Sequence, residues 1–119
     1  MASAKPPERM PADTQTFLVE LLRRNFIFNS VAARRESLLA VGGYDERLWI
    51  DEDWELWLRL AAAGFRFARV PRLLTVYRKH GESLTSDPRR LIAAEREVYR
   101  IVAEEWIPRL QAKQKQGAP

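Results

Sequence analysis

Cysteine is absent from this chain, so disulfides and thiolate metal sites are excluded, and the redox compartment is left open. Histidine occurs once, at His80. No apolar run approaches the ~18 residues that a membrane span needs. The stretch Met1–Pro11 lacks the apolar core of a signal peptide, so the chain reads as soluble. What is present is ordinary for a globular protein: 46% hydrophobic and 30% charged residues in 119, room for one domain rather than two. The net charge of +4 raises the question of nucleic acid. Its basic residues are scattered as Arg23-Arg24, Arg34-Arg35, Arg66, Arg69, Arg72, Arg78-Lys79 and Arg89-Arg90. No helix gathers them into a dense stripe, so the electrostatic footprint of a nucleic-acid binder is missing.

Punctuation by proline, glycine and capping residues divides the chain. Residues 1–12, with Pro6, Pro7 and Pro11, form a flexible lead-in, 13–110 one domain, and 111–119 a polar tail. Asp13 or Thr14 caps a first helix with Phe17, Leu18, Leu21 and Leu22 on one face. Asn25 to Ala33, opening with Phe26-Ile27-Phe28, reads as a strand. A short helix at 35–41 stops at Gly42-Gly43, a loop follows to Ile50, and a third helix runs from Glu52 to Ala63 before Gly64. Phe65–Val70 and Leu73–Arg78 read as two further short strands. Asp87-Pro88 opens a last helix that carries Leu91, Ile92, Val98, Tyr99, Val102 and Trp106 and is ended or kinked by Pro108. The expected class is mixed α/β, with about four helices and three short strands. So small a sheet with an apolar first strand implies continuation, either in a partner copy or in a missing N-terminal half.

The third helix holds the densest chemistry, Asp51-Glu52-Asp53-Trp54-Glu55-Leu56-Trp57-Leu58-Arg59-Leu60. At 100° per residue Glu52, Glu55 and Arg59 share a polar side, while Trp54, Leu56, Trp57, Leu60 and Ala61 fill an apolar arc. Capping by acids at a helix start, worth ~0.3–1 kcal/mol each, accounts for Asp51 and Glu52. It accounts poorly for Asp53, which projects into the apolar arc and must face a core or a cleft. A carboxylate at a cleft wall suits a general base. Among the tryptophans, Trp57 belongs to the core, and Trp49, in the loop before the acids, is the better platform for a sugar ring.

The series Asn29-Ser30-Val31-Ala32-Ala33-Arg34-Arg35-Glu36, Val41-Gly42-Gly43-Tyr44-Asp45-Glu46 and Glu52-Asp53-Trp54-Glu55-Leu56-Trp57-Leu58-Arg59-Leu60 resembles a family-2 glycosyltransferase of the GT-A type. Gly64-Phe65-Arg66-Phe67, Val70-Pro71 and Tyr77-Arg78-Lys79-His80 continue the resemblance, which spans about Asn25 to Ser86. It implies the C-terminal, acceptor-side part of that fold. By motif position it makes Asp53 the catalytic base and places Gly42, Gly43, Trp49 and Glu52 beside the acceptor. His80 would lie near the metal or the diphosphate. Arg78 and Lys79 either neutralise the diphosphate or solvate a strand end.

The resemblance also implies a donor-binding half with an Asp-x-Asp motif holding a divalent Mg or Mn. No such motif follows an apolar strand here; Asp51-Glu52-Asp53 has the letters but opens a helix. The chain is therefore expected to hold no metal and to be inactive alone. The complete enzyme would be an inverting transferase moving sugar from a nucleotide sugar to an acceptor hydroxyl, of the kind that builds cell-surface polysaccharide. It would be cytoplasmic or peripheral at the membrane. The alternative is a non-catalytic fragment that dimerises, as a homo-oligomer, or binds a partner.

Overall fold

Two aspartates begin helices here in the ordinary way. Asp13, with extended backbone, accepts hydrogen bonds from the Thr16 amide at 2.8 Å and the Thr16 hydroxyl at 2.6 Å. Asp87, also extended, accepts from the Arg89 amide at 3.0 Å, with Pro88 in the first turn where its missing N–H costs nothing. The computed structural model describes residues 13–27, 30–72, 87–109 and 111–112. Within them lie α1 (Thr14–Arg23), α2 (Arg35–Ala40), α3 (Glu52–Ala62) and α4 (Pro88–Ile101), the last continued by a π-helical turn at Val102–Trp106.

Glycine stops the second and third helices by the same device. At φ +84° and +91°, Gly42 and Gly64 take a left-handed conformation that a side chain would strain. Each places the next amide on the carbonyl five residues back: Gly43 on Leu38 at 2.9 Å, Phe65 on Leu60 at 3.1 Å. The π turn has a cause in the sequence. Pro108 cannot donate to the carbonyl four residues earlier and its ring crowds that carbonyl, so the preceding turn widens and the chain then resumes helix at 107–109.

The helix α3 is the core of the molecule. Trp54, Leu56, Trp57, Leu58, Leu60 and Ala61 are all buried, leaving little of its circumference to water. Phe17 and Leu21 of α1 cover it from one side, and Val98 and Ile101 of α4 complete the same cluster. Two side chains fasten the end of α1, whose last carbonyls have no helical partner. Trp54 Nε1 donates to Leu21 O at 2.7 Å, and the Tyr99 hydroxyl donates to Leu22 O at 2.7 Å. The two rings meet edge to face, 5.5 Å between centroids.

The mixed α/β class expected from the sequence is not what the chain adopts: the described residues are helical and contain no strand or sheet. Residues 24–27 and 65–70, expected as strand, are neither helix nor strand. They are held by side chains instead. Phe26 packs edge to face on Phe17 at 5.6 Å, and Phe67 stacks on the same ring at 4.6 Å. Alternation of residues across 65–70 thus records which side faces α1, not a ladder. Phe26, expected to need a partner beyond the chain, is buried within it. The expected strand 73–78, the lead-in 1–12 and most of the polar tail lie outside the described residues. No helix among the described residues is long and apolar enough to cross a membrane.

Candidate functional site

Of the residues singled out by the sequence, Gly42, Gly43 and Trp49 lie on the 41–50 loop, and Glu52 and Asp53 on the turn of α3 that follows it. Arg59 ties the two together. Its Nε donates to both carboxylate oxygens of Glu55, at 2.6 and 2.7 Å, while Nη1 reaches Val41 O at 2.6 Å and Nη2 reaches Gly43 O at 2.5 Å. Glu55, assigned to a polar face by helical projection, is only 1% exposed. Burial pushes its carboxyl up, against the opposing pull of the Arg59 guanidinium. The pair is thus a buried clamp that sets the glycine turn at a fixed place on α3. Neither residue was assigned a site role from the sequence, and the one available signal was their i,i+4 spacing.

A second arginine holds the far side of the loop. Arg47 forks between Asp45, at 2.7 Å from Nη2, and Glu105 of the π turn, at 3.0 Å from Nη1. The guanidinium keeps both carboxyls below their ordinary range. Tyr44 and Trp49 of the same loop are exposed, the latter 82%. Trp54 and Trp57 are buried, so of Trp49, Trp54 and Trp57 only Trp49 offers a free face.

Asp53 and Glu52 form the first turn of α3 and are both half-buried. Asp53 Oδ1 accepts from the Trp54 amide at 2.7 Å, and among the described residues Asp53 joins no ion pair. Asp51, read from the sequence as a capping acid, behaves otherwise. Its backbone is left-handed (φ 61°, ψ 18°), its side chain makes no capping bond, and it is 7% exposed. Its Oδ2 is buried without a hydrogen-bond partner among the described residues. Burial first, and then the negative charge of Asp53, Glu95 and Glu52, pushes its carboxyl up to about 6. No feature of the sequence marked Asp51, because its burial is set by tertiary packing, which also brings Glu95 and Tyr99 of α4 within electrostatic reach of it.

Arg78 and His80, with the diphosphate and metal roles implied for them, lie outside the described residues. Among the described residues no group of three His, Cys, Asp or Glu could hold a metal ion. Gly42, Gly43, Trp49, Glu52 and Asp53, which the resemblance placed beside an acceptor, lie on the 41–50 loop and the first turn of α3.

No curated protein and no solved structure matches the chain. The family model described as glycosyltransferase like family 2 matches residues 12–103, a span that takes in all four helices and the junction clamped by Arg59. Since that match covers most of the sequence, the chain belongs to the glycosyltransferase-like family 2.

Proposed function

We propose that this chain supplies the acceptor-side residues of an inverting sugar transfer, with Asp53 as the general base. Glycosyl transfer is the family's chemistry; the assignment of roles is ours. The observation that carries it is the state of the carboxylates at the junction. Glu55 is committed to Arg59, and Asp45 and Glu105 to Arg47. Asp53 is half-buried and joins no cation among the described residues, and only its Oδ1 is engaged, by an amide. A base needs such a free lone pair at the edge of water.

In the proposed step an acceptor hydroxyl gives its proton to Asp53 Oδ2 as its oxygen bonds to the anomeric carbon of a nucleotide sugar. The bond from that carbon to the diphosphate oxygen breaks, and the electron pair leaves with the diphosphate. Attack opposite the leaving group inverts the anomeric centre. Trp49 would lay its indole against the acceptor ring, and the glycine turn would let the acceptor approach the backbone. Arg78 and His80 would face the diphosphate. Among the described residues no group of three His, Cys, Asp or Glu could hold a divalent metal, so the part proposed for them is the acceptor and its proton. Lacking a donor Asp-x-Asp after an apolar strand, the chain alone would transfer no sugar.

The test uses the transfer reaction of the chain supplied with a donor-binding half. Asp53→Asn should lower turnover by ~10² or more with donor affinity nearly unchanged. Glu52→Gln, one residue away, should cost far less. Equal turnover in Asp53→Asn and the parent, with folding intact, removes Asp53 from the chemistry.

A further inference from the structure

Asp51 takes no part in the step above, yet its geometry is unlike that of any other residue described. It is the only non-glycine residue among them with positive φ, a region that L side chains occupy at a cost. It begins a helix without capping it, whereas Asp13 and Asp87 adopt extended backbones and bond the amides ahead of them. The Trp54 amide, within reach of a capping side chain at Asp51, is taken by Asp53 Oδ1 instead. Meanwhile Asp51 Oδ2 is buried with no donor among the described residues. The described groups that face it are Glu52 and Asp53 of α3, and Glu95 and Tyr99 of α4, so among the described residues no cation compensates it.

A buried carboxylate without a donor or a cation is unfavourable, whereas the protonated acid carries no charge to desolvate. The arrangement observed is therefore one that suits the acid form. Ionisation would favour release of the side chain to water and a change of backbone to the extended conformation seen at Asp13 and Asp87. The carboxylate would then compete for the first-turn amides, including the Trp54 amide that now holds Asp53.

We propose that Asp51 is a protonation-controlled positioning residue: buried with its proton it fixes the direction of the first turn of α3 and of Asp53, and ionised it swings out to cap that turn. The consequence for catalysis rests on Asp53 being the base, but the switch itself does not. Since the Asp51 carboxyl is pushed from 3.8 up to about 6, the change falls in the mildly acidic range, and full ionisation favours the released form by on the order of 10²-fold.

The experiment uses the full chain without substrate. Carboxyl carbon NMR follows Asp51, and amide hydrogen exchange follows residues 52–54 from pH 5 to 8, corrected for intrinsic exchange. The expected result is an Asp51 titration near 6 and a rise of tenfold or more in protection at one or more of those amides across the titration, as the ionised side chain caps them. The amides of Thr16 and Arg89, capped by ordinary aspartates, should show no such rise. Asp51→Asn, which tolerates the left-handed region but cannot ionise, should abolish the pH dependence, and Asp51→Gly should do the same. An Asp51 titration near 4, or an unchanged exchange profile in Asp51→Asn, overturns the proposal. Should both variants fail to fold, the titration and exchange of the parent decide it. Retained turnover in Asp53→Asn would defeat the base assignment while leaving this exchange profile standing, so the two failures are separable.

Discussion

Arg59 donates to the carbonyl oxygen of Gly43 at 2.5 Å, sixteen residues back along the chain. Through that bond and the one to Val41, a residue on the core helix dictates where the glycine turn lies. The planar guanidinium can serve Glu55 and both carbonyls at once, and an ammonium cannot. Arg59→Met should destabilise the chain by about 3 kcal/mol or more, because Glu55 is left as an uncompensated buried charge. Adding Glu55→Leu should recover much of that loss. Urea denaturation of the single and double variants checks both, and Arg59→Lys should resemble Arg59→Met rather than the parent.

The carbonyls at the end of α1 give a second comparison. Trp54→Phe keeps most of the ring volume but leaves Leu21 O without its buried donor, at a cost of ~1–3 kcal/mol. Tyr99→Phe removes the bond to Leu22 O at a half-exposed site, where water can replace the hydroxyl, so the loss should stay below ~1 kcal/mol. Thermal or chemical unfolding that ranks Tyr99→Phe as the worse of the two would contradict this packing.

Asp51 also predicts the sign of a stability change with pH. Its folded pKa, about 6, exceeds the ordinary 3.8, so the folded chain binds this proton more tightly than the unfolded chain. The resulting stabilisation is complete below about pH 3.8 and is lost as pH rises through 6. Its full size is ~3 kcal/mol at 1.36 kcal/mol per pH unit. Asp51→Asn should therefore gain stability over the parent at pH 7 and gain little at pH 4. Asp45 and Glu105, held down by Arg47, act in the opposite sense: their contribution is present above their unfolded pKa values and is lost on acidification. Unfolding curves at pH 4 and 7 for parent and variant separate the two trends.

Trp49 touches little and is largely exposed, so Trp49→Ala should change stability by less than ~0.5 kcal/mol. If the indole carries the acceptor ring, the same variant should raise the acceptor KM in the completed enzyme by roughly 2- to 12-fold, the worth of one ring contact. Unchanged acceptor KM would return Trp49 to the ordinary surface.

Helix starts and stops were legible from the sequence because they are decided within one turn of chain. Asp13, Asp87-Pro88, Gly42 and Gly64 each act on amides or carbonyls no more than five residues away. The Gly42-Gly43 turn and the Glu52-Asp53 start of α3 were legible for the same reason, and so was the exposure of Trp49 in a polar loop. Strand pairing was not legible. Alternation at Phe65 and Phe67 tells which side is buried, but whether an extended segment finds a ladder or an aromatic ring depends on what lies beside it, and here that is Phe17. Tertiary structure alone also decided the fate of the acids. Glu55 is buried where Arg59 reaches back to Val41 and Gly43, and Asp51 is buried with Glu95 and Tyr99 of α4 within electrostatic reach. A charge's environment is set by groups distant in sequence, and no local pattern encodes that distance.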